Sequence, residues 1–272
     1  MFRLGFGIAA AAVVLAMPAT TAAGSQGGVV MTWTIGSDQR QALVFAPAAA
    51  TTSAVKHPLV FVFHGHGGNM AGTSMQFHIQ TLWPQAVVVY PQGLKSPTPG
   101  DPSAAESGWQ FKVGDSNDRD LTLFDTMVQT LEQKYAIDTR RIYTTGFSNG
   151  AVFSYLLWSA RAKAIAAVGS VAGILASPGM LTVARPLIAV SGTHDTTLPY
   201  AQQVATVDLA RQVDHTGAAV SCGQGCTVYP SPGGPPPGGP TPVKTLIHQG
   251  GHMVPTWAPA QIVKFFQLHP QP

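Results

Sequence analysis

Beyond residue 28 the hydrophobic pattern opens on two short β-rich stretches. Residues 29–34 and 41–46 are rich in β-formers and flank the polar turn Gly36-Ser37-Asp38, which predicts an amino-terminal hairpin. The pattern then changes. Leu59-Val60-Phe61-Val62-Phe63 and Ala86-Val87-Val88-Val89-Tyr90 are short, unbroken apolar runs that end in Gly- or Pro-containing loops, as expected for strands buried on both faces of a parallel sheet. The segments 141–145 and 186–190 repeat that signature. Between them, residues 121–135 place Leu121, Phe124, Met127, Val128 and Leu131 on one helical stripe, and residues 151–160 read as a helix that follows a turn. A strand-like stretch at 243–247 and a helix-like one at 257–268 close the chain. Strands alternating with helices predict a doubly wound α/β sheet, mostly parallel, in a single domain over residues 24–272.

Two stretches depart from this rhythm. Residues 92–108 are rich in Pro, Ser and Gly and read as a long loop, a place where binding sites are often shaped. Residues 230–242 have linker composition. Because a strand and a helix still follow, this Pro/Gly-rich stretch reads as an insertion within one domain rather than a boundary.

Composition narrows the function classes. Charged residues make up only 10% of the 272, against about 25% in a typical globular chain, which excludes a coiled coil or a charged disordered tail. A net charge of +3, with 15 scattered Lys and Arg, is too weak a basic face for nucleic acid. Residues 1–23 carry Arg3, an apolar run from Leu4 to Met17, Pro18 and small residues up to Thr21 and Ala23, the pattern of a secretory signal peptide. The apolar run is shorter than a membrane span needs, so no membrane association is expected after cleavage, and a secreted protein, extracellular or periplasmic, is predicted. The two cysteines, Cys222 and Cys226, are then read as a disulfide. A metal site would need two more soft ligands, and a redox pair would normally be spaced by two residues rather than the three found here.

The sharpest chemical signal is Gly146-Phe147-Ser148-Asn149-Gly150, set directly between a predicted buried strand and a predicted helix. A tight strand-to-helix turn would lift the Ser148 hydroxyl clear of the backbone as a nucleophile, with the Asn149 N–H aimed at a developing oxyanion. A second signal, His64-Gly65-His66-Gly67-Gly68-Asn69, follows the strand at 59–63 and nominates the His66 N–H as the other oxyanion donor. His64 and His66 could alternatively ligate a metal, though no carboxylate partner lies nearby in sequence.

A serine nucleophile needs a general base, and the base needs a carboxylate to orient it. After Ser148 the carboxylates are Asp195, Asp208 and Asp214. Asp195 lies in a loop just beyond the strand at 186–190, whereas Asp208 and Asp214 fall in a helical stretch and read as solvated. Among the later histidines, His194, His215, His248, His252 and His269, the glycine-flexed loop Gly250-Gly251-His252 favours His252. His248 ends a strand and reads as a packing residue.

With these motifs in place, the chain resembles the secreted polyhydroxybutyrate depolymerase and feruloyl esterase group of α/β-hydrolases, over nearly its whole mature length. Arg141 to Ala151, with Ser-Asn-Gly at the elbow, carries the resemblance most specifically, and Ser191 to Asp195 followed by Leu198-Pro199-Tyr200 looks like the acid loop of that group. The resemblance implies Ser148, Asp195 and His252 as nucleophile, orienter and base, His66 and Asn149 as oxyanion hole, and Trp109 as an acyl-pocket aromatic, for which a buried core position is the competing reading. It implies a monomeric carboxylesterase with no metal or organic cofactor. The first substrate expectation is polyester oligomers or hydroxyalkanoate esters, and the alternative is feruloyl or acetylxylan esters of plant cell walls. A different class, an inactive secreted binding protein on a hydrolase scaffold, is the competing reading, since fold does not fix chemistry.

Overall fold

The computed structural model describes residues 27–52, 54–234 and 239–271. The expected signal peptide, residues 1–23, and the middle of the 230–242 insertion lie outside the described residues. Strands β1 (Val29–Ile35) and β2 (Asp38–Phe45) form the amino-terminal hairpin, with Ile35 paired to Asp38 across the Gly36-Ser37 turn. The next strand, β3 (His57–Phe63), is buried at every position. Its unbroken apolar run follows from a two-sided environment: Leu59, Phe61 and Phe63 point into one core and Val60 and Val62 into the other.

Helices α1 (Met70–Phe77) and α2 (Ile79–Leu82) lead to β4 (Val87–Pro91). The predicted loop 92–108 contains a two-strand ribbon, β5 (Leu94–Lys95) with β6 (Ser107–Gly108). Helix α3 (Arg119–Lys134) buries Leu121, Phe124, Met127 and Leu131 as its stripe predicts. It precedes β7 (Ile137–Phe147) and α4 (Asn149–Arg161), whose first ten residues are all buried. After these come β8 (Ala167–Val171), β9 (Leu187–Gly192), α5 (Tyr200–Val213), β10 (Val220–Gly223), β11 (Cys226–Tyr229), β12 (Val243–His248) and α6 (Ala258–Leu268).

Ten strands form one sheet in the order β1-β2-β4-β3-β7-β8-β9-β12-β11-β10. Strands β4 through β12 of that order run parallel, and an antiparallel hairpin closes each edge. Helices α3, α4 and α5 cover one face, while α1, α2 and α6 cover the other. Strands β11 and β12, which flank the insertion at 230–242, are neighbours in the same sheet. Among the described residues no helix is long and apolar enough to cross a membrane.

Strand β8 is absent from the sequence-based pattern because its Ala-Val-Gly-Ser-Val breaks the apolar run. The interior of the fold demands that glycine: a Cβ at Gly169 would meet Thr145 Oγ1 at 2.8 Å and Ile262 of α6 at 3.1 Å. Residues 220–229 form the hairpin β10–β11, closed by the Cys222–Cys226 disulfide.

Candidate active site

Because β3, β7, β9 and β12 are parallel, their carboxyl ends lie on one edge of the sheet, and the four loops that leave them meet there. Ser148 stands between β7 and α4 with φ 55° and ψ −123°, a conformation that costs a non-glycine residue about 1–3 kcal/mol. The flanking glycines make this turn possible. A Cβ at Gly150 would lie 2.2 Å from the Phe63 carbonyl oxygen, and one at Gly146 would lie 2.5 Å from the Gly150 carbonyl carbon. The Ser148 N–H is held by the Val171 carbonyl at 3.0 Å, and the Ser148 carbonyl accepts from Ala151 and Val152, which opens α4.

Asp195 is 4% exposed, and its carboxylate is fully enclosed by acceptor bonds. Oδ1 accepts the N–H groups of Thr197 at 2.9 Å and Leu198 at 3.0 Å. Oδ2 accepts from His252 Nδ1 at 2.8 Å and from Gln203 Nε2 at 2.9 Å. A carboxylate can only accept here, so Nδ1 of His252 carries the hydrogen and Nε2 is left as the basic nitrogen. The imidazole packs on Phe147, the residue before Ser148, with ring centroids 4.7 Å apart. The Ser148 hydroxyl makes no hydrogen bond to His252 among the described residues; contacts of this kind tighten when substrate fills the site.

Glycines in two loops let Asp195 and His252 approach each other. The His248 carbonyl accepts from Thr193, the Gly250 carbonyl accepts from His194, and a Cβ at Gly192 would strike the Gly250 oxygen at 2.4 Å. His248 accepts the Gly250 N–H through Nδ1 at 3.0 Å, so it shapes the base loop as its strand-end position suggests. Burial lowers its pKa.

The glycine loop after β3 passes close to Ser148: a Cβ at Gly65 would lie 3.1 Å from the Phe147 ring and 3.4 Å from Ser148 Cβ. His64 is 1% exposed, and its Nε2 accepts the Gly93 N–H at 2.8 Å, which puts the ring hydrogen on Nδ1, bonded to the Gly65 carbonyl at 2.7 Å. Burial lowers the pKa of this imidazole. With both ring nitrogens engaged, His64 cannot ligate a metal. His66, Ser148 and Asn149 share the wall of a cleft of about 450 Å³ whose other walls include Phe111, Ile174 and Leu198. Asn149 is the first residue of α4, so its N–H has no acceptor within the helix, and the His66 N–H has none among the described residues.

Two sequence-based expectations change. Trp109 does not line the cleft: it is fully buried between Phe63 and Phe153 and donates Nε1–H to the His64 carbonyl at 2.9 Å. Its indole anchors the glycine loop from below, and the cleft aromatic is Phe111 two residues on. Asp214 is not solvated. It is 2% exposed, accepts the Arg185 N–H at 2.9 Å, and burial raises its pKa to about 8. Asp208 is exposed, as expected, and pairs with Arg211.

Other groups at the site were not foreseen. Gln203, one of the donors to Asp195, carries no local signal in its helix. The Asn149 side chain clamps the Trp109 backbone, accepting its N–H at 2.7 Å and donating to its carbonyl at 3.1 Å. Asp101 accepts backbone N–H groups of Ala105 and Glu106, which bring its pKa to about 2, and it also bonds His66 Nε2 at 3.1 Å.

No family model matches the chain. It is 28% identical over 166 residues to a bifunctional acetylxylan esterase/xylanase of Neocallimastix patriciarum, a match covering 58% of this chain and 22% of that protein. It is 33% identical over 122 residues to feruloyl esterase D of Neurospora crassa, covering 42% and 39% respectively. The matches thus span less than half the length of these curated relatives. Among solved structures, acetyl xylan esterase from Aspergillus awamori superposes with a TM-score of 0.66 at 14% identity, over 88% of this chain and 99% of that one. The chain has the α/β-hydrolase fold. In this fold the strained Ser148 stands between a strand and a helix, and the loops that carry Asp195 and His252 lie at the same carboxyl edge of the sheet.

Proposed function

We propose that this chain, with its α/β-hydrolase fold, is a serine carboxylic ester hydrolase of the feruloyl or acetylxylan type. The observation that carries the reading is the Asp195–His252 pair set against Phe147, next to the strained Ser148 at the mouth of the cleft. His252 Nε2 takes the Ser148 proton as the hydroxyl oxygen bonds to the ester carbonyl carbon. The N–H groups of Asn149 and His66 hold the oxyanion of the tetrahedral intermediate. Collapse expels the alcohol, which receives the proton from His252, and a water activated by His252 then releases the acid from Ser148. Asp195 holds the reactive tautomer and stabilises the imidazolium.

The sequence resemblance put polyester oligomers first. The relatives support the cell-wall ester alternative instead, being feruloyl and acetylxylan esterases. The mainly apolar cleft of about 450 Å³ lies in the range for a whole small molecule and exceeds what an acetyl group fills, which favours an aromatic acyl group. The reading includes export of the chain through the segment 1–23, in keeping with the disulfide.

The test is hydrolysis of methyl ferulate, p-nitrophenyl acetate and soluble hydroxybutyrate oligomers by the wild-type chain and by Ser148→Ala. Turnover of the first, lost in the variant, is expected. Hydrolysis retained by Ser148→Ala would remove the mechanism, and preference for the oligomers would restore the polyester reading. A fluorophosphonate probe that fails to label Ser148 would instead indicate an inactive scaffold.

A further inference from the structure

His252 is not among the residues that wall the 450 Å³ cleft. Since His252 must hand its proton to the departing alcohol, the acyl group fills that cleft and the alcohol leaves across the His252 side. The chain there runs from His252 to the start of α6 and carries two exposed apolar side chains, Met253 at 48% and Trp257 at 41% exposure. Trp257 also lines a second cleft, of about 350 Å³, together with Gln224, Gln261 and Lys244.

The chemistry of this second cleft suits a neutral sugar chain. A pyranose offers a C–H face that an indole can cover and a rim of hydroxyls that amides can bond. His248 packs against Trp257 at 80° between ring planes, which fixes the indole's orientation while leaving it exposed. Gln261 accepts from Lys244 Nζ at 3.4 Å through Oε1, so its amide hydrogens stay available. Gln224 sits at the exposed tip of the β10–β11 hairpin, between the two bridged cysteines. Gly225 has φ +66° and docks the tip on β12: its carbonyl accepts the Ile247 N–H at 2.7 Å, and a Cβ there would strike the Ile247 oxygen at 2.4 Å. The disulfide therefore fixes the position of a glutamine that faces the same cleft as the exposed tryptophan. Strand β12 is three ladder spacings from β7, roughly 14 Å, and β11, at whose start the Gln224 turn lies, is four, roughly 19 Å, a span that an oligosaccharide can bridge from Ser148.

We infer that Trp257, Gln224 and Gln261 form a binding subsite for the glycan that carries the ester, on the alcohol side of Ser148. This rests on the ester-hydrolase reading above. It assigns a role to the Cys222–Cys226 loop that the hydrolytic mechanism itself does not use.

The experiment compares kcat/KM for a feruloylated xylo-oligosaccharide with kcat/KM for methyl ferulate, which is too short to reach the subsite. In Trp257→Ala the ratio should fall about tenfold, through KM rather than kcat. Gln224→Ala, on the exposed hairpin tip, should lower the same ratio by about threefold without touching the base loop. A ratio unchanged in both variants would overturn the subsite. Calorimetric binding of unesterified xylohexaose to the wild-type chain provides an arm independent of hydrolysis. If wild type cleaves neither ester the hydrolase reading fails, while xylohexaose binding that disappears in Trp257→Ala still supports the subsite. Absence of xylohexaose binding to wild type would overturn it.

Discussion

Replacing Asp195 by Asn tests the geometry of the site most directly, because the volume hardly changes and only the hydrogen-bond directions do. The native carboxylate accepts four bonds, from Thr197 N, Leu198 N, His252 Nδ1 and Gln203 Nε2. An asparagine can keep its oxygen on the two backbone N–H groups, but its amide nitrogen then faces two other donors. Gln203 can keep its bond to the Leu198 carbonyl at 2.6 Å. His252 must either lose its partner or move its hydrogen to Nε2, the tautomer that cannot take a proton from Ser148. A wrong-tautomer defect of this kind lowers kcat by about 10⁴-fold, near 5 kcal/mol in the barrier. The alternative rotamer, with the amide nitrogen on the two backbone N–H groups, is opposed by donor against donor on that side. The assay is steady-state kcat on p-nitrophenyl acetate, with thermal unfolding of the same preparation to establish that the variant is folded. A folded Asp195→Asn protein that keeps kcat within tenfold of wild type would refute Asp195 as the group that orients His252.

Gly150→Ala should destabilise the chain by about 3 kcal/mol or prevent folding, since the added methyl lies 2.2 Å from the Phe63 oxygen and 2.6 Å from the His64 oxygen, both backbone atoms; urea unfolding reads it, and a loss below 1 kcal/mol would contradict the packing at the elbow. Trp109 and Phe111 should separate cleanly. Trp109→Ala should cost about 3–5 kcal/mol of stability, whereas Phe111→Ala should leave stability nearly intact and change the relative kcat/KM for aromatic and acetyl esters. An acyl preference that responds to Trp109→Phe but not to Phe111→Ala would reverse that assignment. The folded chain raises the pKa of Asp214 to about 8, above the ordinary carboxylate value, so its protonated form is favoured by folding. Its stabilising contribution is therefore complete at acidic pH below the unfolded value and is lost as pH rises toward and through about 8. Asp214→Asn should accordingly flatten the decline in Tm between pH 5 and 9; parallel profiles for the two proteins would show that the carboxyl does not titrate as its burial requires.

The two-sided strands at 59–63 and 86–90 and the amphipathic stripe of α3 were legible because burial on one or both faces leaves a period in the sequence. The elbow was legible for a related reason: Gly146 and Gly150 are required by contacts within the strand-turn-helix unit and its immediate neighbour β3. Strand β8 was not, because Gly169 answers to Thr145 and to Ile262, residues far away in sequence. The same distinction separates Ser148, His64 and His66, which announce themselves in short motifs, from Gln203 and the Asn149 clamp on Trp109, which become meaningful only when distant segments touch. Trp109 and Asp214 were misread for a shared reason, since a single aromatic or carboxylate carries no local mark of which side of a surface it lies on. The sequence by itself determined the fold class, the nucleophile turn and the few candidate acids and bases, because local sterics and periodic burial are written residue by residue. Tertiary structure alone decided which acid meets which histidine and which aromatic faces the cleft, because those follow from the strand order β7-β8-β9-β12 and from loops crossing one another at the carboxyl edge of the sheet.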